Sequence, residues 1–229
     1  MTSWLTEYRG QAGFSLLELS ITLIVFALLA GSLLGQLPAQ RQIADEQRAR
    51  RQLDEALEAL YGFAITHGRL PCPATPELAS DAAEAGHEAC PREHGTLPWR
   101  TLALPELDPW GQRFSYHAKN SFTAVLSGGA RASFTLESVG TANVRPAATV
   151  GNRLADALPA VVVCHGRNGA GGYRSSGSQV PAGNPDEAEN ADADLIFVDR
   201  LPDPGYDDLL AWIVPGLLNA RMLAAGRLP

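Results

Sequence analysis

The polar and apolar positions along this chain mark out two long helical patterns and then a run of short strands. Residues 1–13 are mixed and mostly polar. From Phe14 to Leu34 the sequence is almost wholly apolar, about 21 residues or roughly 32 Å of helix, enough to cross a bilayer core. One charged side chain, Glu18, lies near the start of that run. A carboxylate inside a membrane-length segment costs a few kcal/mol even on lenient insertion scales, so it calls for a partner or a purpose.

After Pro38 the pattern changes. Leu53, Leu57, Leu60 and Ala64, with Ala56 and Phe63 beside them, recur at helical spacing and predict an amphipathic helix over 36–67. "HGRLP" ends it: Gly68 can take the left-handed cap conformation and Pro71 blocks continuation. A continuous helix from Phe14 to His67 would run about 80 Å, with a bend expected at Pro38.

Residues 69–110 are rich in proline and acidic residues and read as irregular. "RFSYHA" alternates like a half-buried strand, and "SFTAVL" and "ARASFTLESV" flank "SGG" as a hairpin would. "LPAVVVCHG" and "ADLIFVDR" are short apolar runs that predict buried strands. "YDDLLAWIVPGLLNARMLAAGRLP" reads as a helix with Asp207 near its start, interrupted at Pro215 and ended by Gly226. The expected class is α+β, a long N-terminal helix packed on an antiparallel sheet.

Charge and cysteine content narrow the function. The 229-residue chain has a formal net charge of -7, and Lys119 is its sole lysine. That balance argues against a broad nucleic-acid-binding face. The apolar run is too long for the core of a cleaved secretory signal. Counting basic residues alone, with Arg9 before the run and Arg41, Arg48, Arg50 and Arg51 after it, would place the C-terminal side in the cytoplasm.

The stretch "QAGFSLLEL" resembles the prepilin signal of type IV pilins and type II secretion pseudopilins. Gly13 ends a short leader, Phe14 follows, Glu18 stands fifth from Phe14, and an apolar helix continues to Leu34. The leader departs from the pattern in carrying Arg9 as its only basic residue. The resemblance implies a leader over 1–13, cleavage between Gly13 and Phe14 by a prepilin peptidase, and N-methylation of Phe14. It implies a transmembrane and fibre-core helix over 14–35, a stem continuing over 36–67, and a periplasmic domain over 68–229. Glu18 would then meet the terminal amine of a neighbouring subunit. A buried carboxylate is tolerated when paired, and removing one partner costs about 3–5 kcal/mol. The implied partners are the peptidase, other pilin or pseudopilin subunits, an inner-membrane assembly platform and the lipid bilayer. The implied topology is single-pass in a bacterial inner membrane, leader inside, against the count of basic residues. "LPCP", "GTLPW", "VVVCHGRNG" and "YDDL" are also similar to segments of a group of prepilin-like proteins without an assigned role.

Outside the membrane, Cys72 and Cys90 bracket a Pro-rich loop, and a bridge between them would contribute on the order of 3 kcal/mol. The rival is zinc on Cys72, His87, Cys90 and His94. Cys164 reads as a buried free thiol. Residues 185–208 are strongly acidic, with Asp192 and Asp194 the candidate ligands for calcium, although no EF-hand spacing occurs. "GRNGAGGYRSSG" lacks the lysine of a P-loop. Cys164 and His165, adjacent on a strand, would face opposite sides and make a poor nucleophile–base pair. No enzyme activity and no cofactor are expected. The reading is a minor pilin or pseudopilin; the alternative is a signal-anchored periplasmic binding module that does not polymerise.

Overall fold

The computed structural model describes residues 15–34, 37–149 and 151–228, and within these the side chains of all but 30–34 and 37–39. The expected cleavage pair Gly13 and Phe14 therefore lies outside the described residues. The chain divides into two compact units, Met1–Ala44 and Asp45–Pro229.

In the first unit, helix α1 spans Leu16–Leu34. Two of its hydroxyls are satisfied within the helix: Ser20 Oγ donates to the Leu17 carbonyl at 2.8 Å, and Thr22 Oγ1 donates to the Glu18 and Leu19 carbonyls at 3.0 and 2.8 Å. Such internal pairing suits a helix with few other polar partners. Its apolar side chains are exposed, Leu16 at 88% and Phe26 at 71%. Among the described residues no helix is long and apolar enough to cross a membrane; the run predicted from Phe14 starts outside them. Helix α2, Leu37–His67, follows. The bend expected near Pro38 turns on residues 35–36, which lie outside the described residues; Pro38 itself stands in the first turn of α2, where its missing N–H would have had no intrahelical partner in any case.

The second unit is built on the amphipathic face of α2. Ala49, Leu53, Ala56, Leu60 and Ala64 are buried at helical spacing. Two further features end α2. Gly68 has φ +72°, and a Cβ there would sit 2.2 Å from the Arg131 carbonyl oxygen. Arg227 donates Nε–H to the Ile65 carbonyl at 2.7 Å and a second N–H to that of Thr66, so a distant cation covers carbonyls that the helix leaves unpaired.

The main sheet has four antiparallel strands: β1 (His94–Thr96), β3 (Ser115–Ala118), β6 (Ala160–Cys164) and β9 (Leu209–Trp212), in that spatial order. Strand β6 is buried throughout. Ala160, Val162 and Cys164 join the core formed with α2, while Val161 and Val163 join a second core. That double burial explains its unbroken apolar run. The second core is shared with a three-stranded sheet, β5 (Ala155–Leu158), β4 (Ala142–Arg145) and β8 (Ile196–Val198). There β4 and β5 are antiparallel and β4 and β8 parallel. A small pair, β2 (Gln112–Arg113) and β7 (Tyr173–Arg174), holds the loops. The unit is α+β, as expected.

Two predicted elements differ. The hairpin across "SGG" is absent: Asn120–Thr123 form a short helix, α4, and no strand lies between it and β4. α3 (Trp99–Leu102) precedes it. The segment lines the core instead. Phe122 packs on Phe134 with ring centroids 4.8 Å apart, and the Phe122 carbonyl accepts the Leu70 N–H at 2.8 Å. "LLAW" is not helical; it forms β9 beside β6. The helix starts only at Pro215, as α6 (Pro215–Ala224), with proline at its first position. Tertiary pairing with β6 outweighs the helical spacing. α5 (Pro185–Glu189) is capped by Asn184, whose side chain accepts the Asp186 and Glu187 N–H groups.

The Pro-rich region 69–110 is ordered by two devices. Cys72 and Cys90 form a disulfide, with Cα atoms 5.4 Å apart. Arg113, 1% exposed, donates to the Pro76, Leu78 and Ser175 carbonyls and to Glu106, and stacks over the Trp99 ring at 4.6 Å.

Candidate functional site

The N-terminal feature is built by the first turn of α1. Ser15 precedes the helix, and its Oγ accepts the Leu17 N–H at 3.2 Å. Leu16 is then the first helical residue and Glu18 the third. Serine at the cap and glutamate three residues later is the spacing of a capping box. The carboxylate lies at the positive end of the helix dipole, and Glu18 is exposed. So the one charge of the apolar run sits where a helix best tolerates it, open to a cation from outside.

The cysteine region is closed. Both sulfurs that could have held zinc are bonded to each other, and Arg69 fixes the loop by a two-pronged pair with Glu88 at 2.8 and 2.7 Å. Glu88 also accepts the Cys72 N–H at 3.1 Å. His87 and His94 do not join the cluster of Cys72, Glu88 and Cys90. Cys164 is buried, its thiol pushed well up by burial, and its Sγ donates to Asp108 Oδ2 at 3.3 Å.

In the acidic stretch, Asp192 and Asp194 turn to their own backbone. Asp192 Oδ1 accepts the Asp194 N–H at 3.2 Å, and Asp194 Oδ1 accepts that of Ile196 at 2.6 Å. The carboxylates that converge are Glu187, Asp207 and Asp208. They serve as connectors: Asp207 accepts the Arg167 and Asn168 N–H groups, Glu187 accepts Asn168 Nδ2–H at 2.6 Å, and Asp208 accepts Asn190 Nδ2–H at 2.8 Å.

Sequence reasoning missed two groupings that only the sheet register creates. Ser115 Oγ lies 2.7 Å from His165 Nε2, and His165 Nδ1 is 3.9 Å from Asp208 Oδ1. Burial lowers the His165 pKa to about 4, so the ring is neutral. The second grouping is His94 with His117, whose ring centroids are 4.4 Å apart. Neither was findable from spacing alone, because the partners are brought together by strands far apart in the chain.

A capped apolar helix carrying one early carboxylate, ahead of an α+β unit, is the arrangement of a class defined by its N-terminus. The family model for the prokaryotic N-terminal methylation motif matches residues 8–34, which include Gly13, Phe14 and Glu18. The chain is also similar to type II secretion system core protein G of Aeromonas hydrophila, 25% identical over 119 residues, covering 52% of this chain and 81% of that protein. No solved structure matches the chain. The two matches support a pilin or pseudopilin family for this protein.

Proposed function

We propose that this chain is a pilin or pseudopilin subunit made as a precursor. A prepilin peptidase cuts between Gly13 and Phe14 and methylates Phe14, and residues 14–34 hold the protein in the inner membrane with the Asp45–Pro229 unit on the periplasmic side. It then assembles through its N-terminal helix with other subunits on an inner-membrane platform. The observation that carries this reading is Glu18, a lone carboxylate in the first turn of an exposed apolar helix. Cleavage creates an ammonium on Phe14, and pairing Glu18 with a neighbour's ammonium sets the register of one subunit on the next. Nearly half of the chain lies beyond the stretch aligned with protein G. That extra matter favours a specialised, minor subunit over a bulk one.

The test is the intact mass and N-terminal sequence of membrane-extracted protein from cells with and without the peptidase. A chain starting at N-methyl-Phe14 only when the peptidase is present supports the reading. A chain retaining residues 1–13 in both cells sinks it.

A further inference from the structure

We propose that His94 and His117 form a binding site for a divalent first-row transition-metal ion. The two residues are direct partners across β1 and β3. The neighbouring Ala118 N–H donates to the Glu93 carbonyl at 2.9 Å, which makes 93/118 a hydrogen-bonded pair. The His94/His117 pair is then of the non-hydrogen-bonded kind, the geometry in which facing side chains come closest. Their rings lie 4.4 Å apart, centroid to centroid, and Phe197 packs on His117 at 5.9 Å.

His117 is 2% exposed, and its ring nitrogens make no well-formed hydrogen bond, the Glu93 carbonyl acting on the ring only weakly. Buried polar atoms are rarely left so, because they have given up water for nothing in return. His94 and His117 both line a cavity of about 160 Å³, which Glu77, Arg92, Ser115 and Tyr173 share. Such a volume admits an ion with several waters.

The chemistry selects the ligand. Both donors are imidazole nitrogens, the commonest metal ligands among protein side chains. Two imidazoles favour zinc, copper or nickel over the hard cations calcium and magnesium. The Glu93, Asp194 and Asp192 carboxylates act electrostatically on His94 and draw a cation to this rim. Glu77 and Arg92, of opposite charge, also line the cavity. The site is separate from the cysteine pair, whose sulfurs are occupied in the disulfide.

The full-length protein in detergent, stripped with a chelator, would be titrated with ZnCl2 by calorimetry at pH 7.5, and with CuCl2 by electron paramagnetic resonance. Saturable one-to-one zinc binding is expected, with copper showing two imidazole nitrogens. His94→Gln and His117→Phe should each weaken binding by more than the roughly 10–100-fold lost with an outer-shell partner, while His67→Gln and His87→Gln leave it unchanged. His117→Phe keeps a ring against Phe197. If that variant misfolds, the half-buried His94 and the copper spectrum of the wild type still decide. Absence of binding by the wild type, or binding that survives both His94→Gln and His117→Phe, overturns the proposal.

Discussion

Glu18 and Gly68 show how much single positions carry. Glu18 belongs to the Met1–Ala44 unit, so on the proposed function Glu18→Ala should abolish incorporation into a fibre while leaving the thermal transition of the Asp45–Pro229 unit unmoved. Cross-linking and melting measured on the same preparation check both halves. Gly68 is the reverse case. Its φ of +72° and the 2.2 Å approach to Arg131 leave no room for a Cβ, and Gly68→Ala should cost more than about 1 kcal/mol in denaturant unfolding. His165 adds a pH dependence. Its ring titrates near 6.5 when unfolded and at about 4 when folded. Its burial as a neutral ring therefore contributes stability above pH 6.5 that is lost as the pH falls toward 4. Asp108 and Asp208, whose carboxyls burial holds up, push the other way, so the readout is a difference. Between pH 7 and 4 the stability of the wild type should fall relative to His165→Gln by about 3 kcal/mol.

At the scale of elements, what could be read in the sequence was what local chemistry decides. The amphipathic stripe of α2, the stop at Gly68, the double-faced β6 and the strand at Phe197 all follow from spacing or composition. The bridge between Cys72 and Cys90 formed as its Pro-rich loop suggested. What escaped depends on neighbours far along the chain. Leu209–Trp212 has helical spacing, but it became a strand because β6 offered a free edge. The segment around Phe122 has strand-like residues, yet its backbone partners are Leu70 and Ser133 and not a second strand. Arg113 had no local signature at all, since its carbonyl partners are more than thirty residues away in each direction. Arg113→Met should cost about 3–5 kcal/mol, the penalty of leaving Glu106 and three carbonyls without their cation, read as a shift in the denaturant midpoint.

In the Asp45–Pro229 unit as a whole, the main sheet has α2 and α6 on one face and the smaller sheet on the other. The candidate sites divide along the same chain: Glu18 was legible because it is a local exception in an apolar run, whereas the histidine pair was not, because register alone joins β1 to β3. Loss of the disulfide should be felt locally. Cys72→Ser with Cys90→Ser is expected to lower stability by about 3 kcal/mol without changing the sheet, and limited proteolysis should map the new cleavages to residues 69–110.

The grip of Arg227 on the last turn of α2 has a bearing on how the protein is made. Ile213, Leu218, Met222 and Leu228 share one core with Ala49, Leu53 and Leu60, so the earliest-synthesised part of this unit waits for the latest. During translation the core on the face of α2 stays incomplete until residues 213–228 have been made and have packed onto it. Chains cut short before Ile213 would thus present part of an open apolar face to the cell's proteases, a mark by which quality control could tell them from chains with this core filled.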